Sequence, residues 1–253
     1  MKPSTPSWLV NKYKNKVLAR LVPLRKTTVD GLVFYSLRAG STPHDPTLFS
    51  RQGVEFHDKI SLLRGDVAID AGANIGSYTL RLARNFRRVV AFEPNPVVSS
   101  ILRMNGARNK FQNITVEDTA LSDVNSTLHL HIDSRREGVA SLDPGHYGTS
   151  FDRVKMVRVA RLDDFHLPEG RVDFAKIDVE GFEEQVLRGA HRTISKFRPV
   201  LGVEVHTDRI KRDGEACSCV ACRLLNDYEY DLQVTGEVAS PAPTHWTWAT
   251  PRS

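Results

Sequence analysis

The sequence predicts an α/β fold: a mostly parallel sheet with helices on both faces. Two observations predict it. Short apolar runs recur at residues 67–71, 89–92, 114–116, 172–177 and 200–205. Stretches with apolar residues at helical spacing lie between them, which is the pattern of repeated strand–helix–strand units. Runs apolar throughout, rather than alternating, suit strands buried on both faces.

Along the chain, residues 1–26 read as a basic amphipathic helix, with Val10, Tyr13, Val17 and Leu21 on one face and Lys12, Lys14 and Lys16 between them. Residues 32–37 read as a strand after the Asp30-Gly31 turn, and His44 to Pro46 as a further turn. After the run at 67–71, Tyr78, Leu82 and Phe86 repeat at helical spacing. Pro96 opens a helix to about Gly106. Residues 181–196 read as one helix, with Phe182, Val186, Leu187, Ala190 and Ile194 inward. Residues 125–160 break the alternation. Leu128, Leu130 and Ile132 alternate with polar residues, and Val154, Met156 and Val159 do so more loosely. This predicts an antiparallel hairpin insertion with a glycine-rich link (Gly138, Gly145, Gly148) placed to carry substrate contacts. The expected division is an N-terminal extension over 1–45 and a main domain over 46–253.

The charge is uneven. Net charge is +5, yet residues 1–29 hold seven Lys or Arg and no acid. The basic character therefore belongs to the N-terminal arm, which suits docking on the body or contact with an anionic membrane surface. The near-neutral remainder disfavours a whole-domain nucleic-acid binder. No run approaches the ~18 apolar residues of a membrane span. Three clustered cysteines are no disulfide framework, and no signal-peptide pattern stands at the N-terminus. A cytoplasmic setting is expected.

The strongest chemical signal is Val-Ala-Ile-Asp-Ala-Gly-Ala-Asn-Ile-Gly at residues 67–76, a strand running into a glycine loop and then a helix. Glycine there permits a tight turn and close approach of a ligand to backbone. Glu93 ends the next strand, where doubly wound folds hydrogen-bond ribose hydroxyls. A dinucleotide site would show G-x-G-x-x-G; this loop has Gly72 and Gly76 only, with Asp70 at its entrance. A carboxylate there repels pyrophosphate but suits a ligand with an ammonium or sulfonium group, such as S-adenosylmethionine.

On these residues the chain resembles the FkbM family of S-adenosylmethionine-dependent methyltransferases. Three stretches carry the resemblance: Asp-Ala-Gly-Ala-Asn-Ile-Gly at 70–76, Phe-Glu-Pro-Asn-Pro at 92–96 and Lys-Ile-Asp-Val-Glu-Gly at 176–181. Val-Leu-Arg-Gly-Ala at 186–190, the Arg-Leu-Asp-Asp element at 161–164 and Glu204 also fit, so the match covers about residues 50–206. The resemblance implies a class I methyltransferase fold, Rossmann-like, with a seven-stranded sheet closed by an antiparallel pair at about 228–234 and 245–249. It implies O-methylation of a hydroxyl on a sugar, glycan or natural product. By motif, Asp70, Gly72, Asn74 and Gly76 would cradle the methionine part of the cofactor, Glu93 would hold the ribose, and Asp118 would meet the adenine.

Asp178 and Glu180 follow the fourth strand, and Glu204 and His206 end the fifth, at the strand edge where open α/β sheets bind ligands. Each pair is spaced i, i+2, so each would share one side if strand geometry persists through it. Asp178 is expected near the methyl, the other three around the acceptor, with His206 the proton acceptor at neutral pH. Glu180 has a second reading as a cap of the following helix. The acids could also hold a divalent metal such as Mg²⁺. Cys217, Cys219 and Cys222 offer three thiolates for zinc, with His206 as a fourth ligand. The runner-up function is a ribose 2′-hydroxyl methyltransferase acting on RNA. An Asp-Val-Glu-Gly block stands where base-amine methyltransferases carry Asn/Asp-Pro-Pro-aromatic. No Tyr-x-x-x-Lys pair supports a nicotinamide oxidoreductase. Acceptor identity and oligomeric state stay open.

Overall fold

A computed structural model of the chain describes residues 24–37, 51–133, 140–145, 150–167, 170–206, 212–213, 216–217, 219–238 and 244–252. Most of the basic arm, the turn at His44 and the glycines 138 and 148 fall outside the described residues. The described chain enters as a hairpin, β1 (Leu24–Val29) and β2 (Leu32–Leu37), turning on Asp30 and Gly31, both with positive φ. Residues 24–26 are therefore strand, where the helical reading of the arm had extended. Leu32 and Phe34 are buried against Ala73, Leu80, Ala91 and Leu102.

Helix α1 (Arg51–Leu62) leads to β3 (Gly65–Ala71), α2 (Ser77–Leu82), β4 (Phe86–Phe92), α3 (Pro96–Arg108) and β5 (Ile114–Glu117). Phe86, expected on the helix of Tyr78 and Leu82, starts β4. Pro96 occupies the first turn of α3, and the Asn95 side chain accepts from Val97 N. Asn105 and Asn109 of α3, one turn apart, act towards β2 as a neighbouring strand would. The Asn109 amide accepts from Val33 N at 2.8 Å and donates to Val33 O at 2.7 Å; Asn105 does the same with Tyr35. Asn105 Nδ2 also donates to Ile75 O in the glycine loop.

The insertion follows as β6 (Ala120–Leu121), β7 (Ser126–Ile132), β8 (Ala140–Ser141) and β9 (Arg153–Ala160), a separate four-stranded sheet in the order β6-β9-β7-β8. The predicted β7–β9 hairpin is there and antiparallel. The inward parity of β9 differs from expectation: Val157 and Val159 are buried, while Val154 and Met156 are exposed. Then come β10 (Phe174–Ile177), α4 (Glu183–Gly189), α5 (His191–Phe197), β11 (Val200–His206), the short pair β12 (Arg212–Asp213) and β13 (Ala216–Cys217), α6 (Val220–Asp227), β14 (Tyr230–Val238) and β15 (Thr244–Pro251). The single helix expected over 181–196 is two, broken at Ala190. Asp163 causes the restart: its carboxylate accepts from the backbone of Arg192 at 2.9 Å and of Thr193 at 2.8 Å, satisfying the opening N–H groups of α5.

The main sheet has the order β14-β15-β11-β10-β3-β4-β5. Strands β11, β10, β3, β4 and β5 are parallel, and β15 and β14 close the edge antiparallel. Both faces are covered, as the apolar runs require. Val67, Ile69 and Ala71 of β3 face Leu187, Ile194 and Leu225 of α4, α5 and α6. Ala68 faces the other way, towards Phe56, Tyr78 and Leu82 of α1 and α2. Gly189 sets how closely α4 meets the insertion, because a Cβ there would lie 1.9 Å from Ser122 O. Backbone must move to admit it. Gly189→Ala is expected to cost ~1–3 kcal/mol of stability, read as a lower urea midpoint at unchanged m-value.

Candidate active site

Pleat alternation assembles the site. In the parallel register Asp70 of β3 pairs with Lys176 of β10, and Lys176 with Gly202 of β11. Two residues on, Asp178 and Glu204 stand on that same side, with His206 beyond. The strand tips thus deliver the predicted residues to one edge beside the loop of Gly72.

Lys176 lies at the centre and was not singled out from the sequence, although a lysine inside an apolar strand is the signal that finds it. It is 2% exposed, and its Nζ sits 3.3 Å from Asp70 Oδ1, 3.1 Å from Asp178 Oδ2 and 2.9 Å from Gly72 O. The Tyr78 ring lies beneath it. Burial alone would lower its pKa; the Asp178 and Asp70 carboxylates overcome that and hold the ammonium well above the ordinary lysine value.

Asp70 was expected to face a cationic ligand. Its side chain is instead fully buried, ion-paired with Lys176 and accepting from Thr79 Oγ1 at 2.6 Å. The carboxylate stands behind the glycine loop and supports it, so the tip of β3 is neutralised rather than anionic. Gly72, with φ +74, passes so close to the chain after β10 that a Cβ would fall 1.8 Å from Asp178 O. Gly76 is a packing position: a Cβ would strike Leu102 Cδ1 at 2.3 Å and Leu80 Cδ1 at 2.7 Å, so its absence lets α2 close on α3. Asn74 is left-handed (φ 50), and its side chain accepts from Ile75 N.

Glu93 is buried at the end of β4. One oxygen accepts from Asn74 N at 2.9 Å, the other from Asn95 N at 2.8 Å. Burial outweighs these bonds and pushes its pKa up to about 7. Asp118 lies past β5, the neighbouring strand, where Ser99 Oγ and Arg103 Nη1 both hold its Oδ1.

On the other side of Asp178 is a cluster around His206. Its Nδ1 lies 3.0 Å from Glu183 Oε1, and its Nε2 lies 3.6 Å from Glu180 and 3.8 Å from Glu204. Burial would lower the histidine's pKa, but Glu183, then Glu180 and Glu204, raise it well above the usual value. The carboxylates around the ring thus favour its protonated form. Glu204 is held well above the ordinary carboxylate range, by burial first and by the Asp178 charge second. Glu183, missed in the sequence, is the bracket beneath: its Oε1 accepts from Val179 N and Gly181 N. That is the capping work considered for Glu180, which turns to His206 instead. Glu180 has φ 55, and its carbonyl accepts from Ser141 Oγ of β8 at 2.6 Å, so the insertion reaches this turn. Ligand atoms of Asp178, Glu204 and His206 lie within 4.8 Å of one another, a spacing that could hold a hard cation in place of the ring proton.

The expected zinc set is corrected. His206 is engaged with the carboxylates, and the histidine beside Cys217, Cys219 and Cys222 is His245. His206 and Val205 point to opposite faces, and it is Val205 that pairs with His245.

Sheet order, glycine loop and polar strand tips are together those of a class I methyltransferase. The Methyltransferase FkbM domain model matches residues 70–232. The chain belongs to the FkbM methyltransferase family. Methyltransferase sdnD of Sordaria araneosa is 28% identical over 230 residues, which cover 78% of this chain and 85% of that protein. Methyltransferase 1 of Beauveria bassiana is 29% identical over 141 residues, 48% of this chain and 57% of that protein. Among solved structures, the methyltransferase FkbM of Methylobacillus flagellatus aligns with a TM-score of 0.50 at 21% identity, covering 80% of this chain and 47% of that one. Trm5b of Pyrococcus abyssi aligns at 0.54 with 13% identity, covering 91% and 56%. This chain therefore spans about half of those two solved chains, and the likeness is one of fold. Among the described residues no helix is long and apolar enough to cross a membrane.

Removing the Lys176 ammonium strands two carboxylates in a low-dielectric site. Lys176→Met is expected to cost ~3–5 kcal/mol in urea unfolding, and adding Asp70→Asn to recover part of that loss.

Proposed function

We propose that the chain transfers the methyl group of S-adenosylmethionine to a hydroxyl oxygen of a small molecule, sugar or glycan. The observation that carries this is the convergence of Asp178, Glu180, Glu204 and His206 beside the Gly72 loop and Glu93. The residues present fit the cofactor. A carboxylate offers about four acceptor positions, and Glu93 has spent two on backbone N–H groups that fix its orientation, leaving two for a ribose diol. The partly exposed residues of the loop are Gly72 and Asn74, and these line the open side. Asp118 stands at the rim next to Glu93 as the candidate for the adenine. When bound, the cofactor supplies a methyl already activated by a sulfonium.

The protein's own task is to place a hydroxyl oxygen in line with that methyl and take its proton. Alignment supplies most of the acceleration. Asp178, 21% exposed and locked by Lys176, is the group we assign to orient the hydroxyl and accept its proton, worth ~10²–10⁴-fold. Glu204, 21% exposed beside Asp178, is assigned to the acceptor side of the site. His206, held between Glu180 and Glu183, closes that side. A hydroxyl acceptor is favoured over a ring amine because the strand tip presents carboxyl groups and no Asn/Asp-Pro-Pro turn.

Incubation with methyl-labelled S-adenosylmethionine should label hydroxylated natural products or glycans and release S-adenosylhomocysteine. Label appearing instead on ribose 2′-oxygens of RNA would move the reading to the RNA alternative. Asp178→Asn should bind the cofactor normally and turn over ~10²–10⁴-fold more slowly; undiminished turnover would remove Asp178 from the base role. Because hydroxyls donate better to an ionised carboxylate, cofactor affinity should rise with pH through a midpoint of about 7 and level off once Glu93 is ionised. In Glu93→Gln that pH dependence should vanish, as measured by calorimetric titration.

A further inference from the structure

Outside the strand-tip site, four residues meet in the C-terminal part of the sheet. Cys217 belongs to β13, Cys219 caps α6, Cys222 lies in its first turn and His245 is on β15. All four are buried. We propose that Cys217, Cys219, Cys222 and His245 bind one zinc ion in a closed structural site. This is independent of the methyl-transfer reading.

The geometry argues for a metal. His245 Nε2 faces all three sulfurs, at 3.6, 3.7 and 3.4 Å from Cys217, Cys219 and Cys222. A tetrahedral zinc with Zn–S about 2.3 Å and Zn–N about 2.0 Å has N···S edges of about 3.5 Å. Hydrogen bonding does not account for the arrangement, since one ring nitrogen serves one thiol at a time. The other ring nitrogen, Nδ1, is buried without a hydrogen-bond partner among the described residues.

The surroundings suit thiolates. Cys222 N donates to Cys219 Sγ at 3.3 Å, and the Cys222 sulfur is 3.5 Å from the Thr247 hydroxyl. Both cysteines stand at the positive end of α6. Three sulfurs select zinc over magnesium or calcium. Four buried protein ligands leave no open position, so the ion would be structural rather than catalytic. Its reach gives it a purpose. His245 pairs with Val205, between Glu204 and His206, so the ion would pin the chain that leaves the catalytic strand to α6 and β15.

The test is metal analysis of protein purified under reducing conditions without added metal. One zinc per chain is expected, and exchange for cobalt should give the visible absorption of a tetrahedral cobalt–thiolate centre. Cys222→Ser and His245→Ala should lose the metal, whereas His245→Cys should keep it by completing a four-sulfur set. Asp178→Asn should also keep it. Wild-type protein that carries no zinc and takes up neither zinc nor cobalt would overturn the proposal. So would metal lost in Asp178→Asn and retained in Cys222→Ser, which would place it among the acids.

Discussion

The site depends on one buried ammonium. Lys176 ties the tip of β3 to the tip of β10 through Asp70 and Asp178, and its third contact, to Gly72 O, holds the glycine loop against both. Two carboxylates on neighbouring strands would repel strongly in a medium from which water is excluded. With the cation between them, the negative charge on Asp178 becomes compatible with a packed sheet. The same contact leaves Gly72 no room for a side chain, because loop and strand tip are drawn together. Glycine loop and strand tips are in this way one object.

Around that centre, environment alone shifts the neighbouring groups, each for its own reason. Glu93 is poised near neutrality because burial opposes two backbone N–H bonds. Glu204 is raised by burial first and by the neighbouring Asp178 second. His206 is raised by Glu183 beneath it with Glu180 and Glu204 around it, against the effect of its burial. Such perturbation of neighbouring titratable groups marks functional sites in general.

Much of this was legible in the sequence, for reasons of periodicity. Strand runs such as 67–71 and 200–205, the glycine loop and the i, i+2 spacing of Glu204 with His206 depend on local geometry, which sequence encodes directly; Asp178 and Glu180 lie beyond β10, where Glu180 turns left-handed and strand alternation no longer applies. Partner choice is not local. That Asp70 turns to Lys176 depends on the β3–β10 register, and that His245 rather than His206 joins the cysteines depends on pleat parity across β11 and β15. The break at Ala190 comes from Asp163, some thirty positions earlier in the chain. The pairing of Asn105 and Asn109 with β2 likewise depends on which strand lies beside that helix. The misjudged inward face of β9 has the same origin: Val154 and Met156 fit an alternating pattern, but only the partner strand fixes which phase is covered.

The turn from β10 into α4 shows how the insertion enters the chemistry. Glu180 and Gly181 both take positive φ, and only through that reversal can Glu183 fold back to accept from Val179 N and Gly181 N. A left-handed glutamate costs ~1–2 kcal/mol. The Ser141 hydroxyl, buried and bonded to the Glu180 carbonyl, returns ~0.5–1.5 kcal/mol of it. The balance is close enough that the conformation of Glu180 is set jointly by α4 and by β8. Since Glu180 faces His206, and His206 faces Glu204, the insertion is joined to the carboxylate–histidine cluster by a chain of direct contacts.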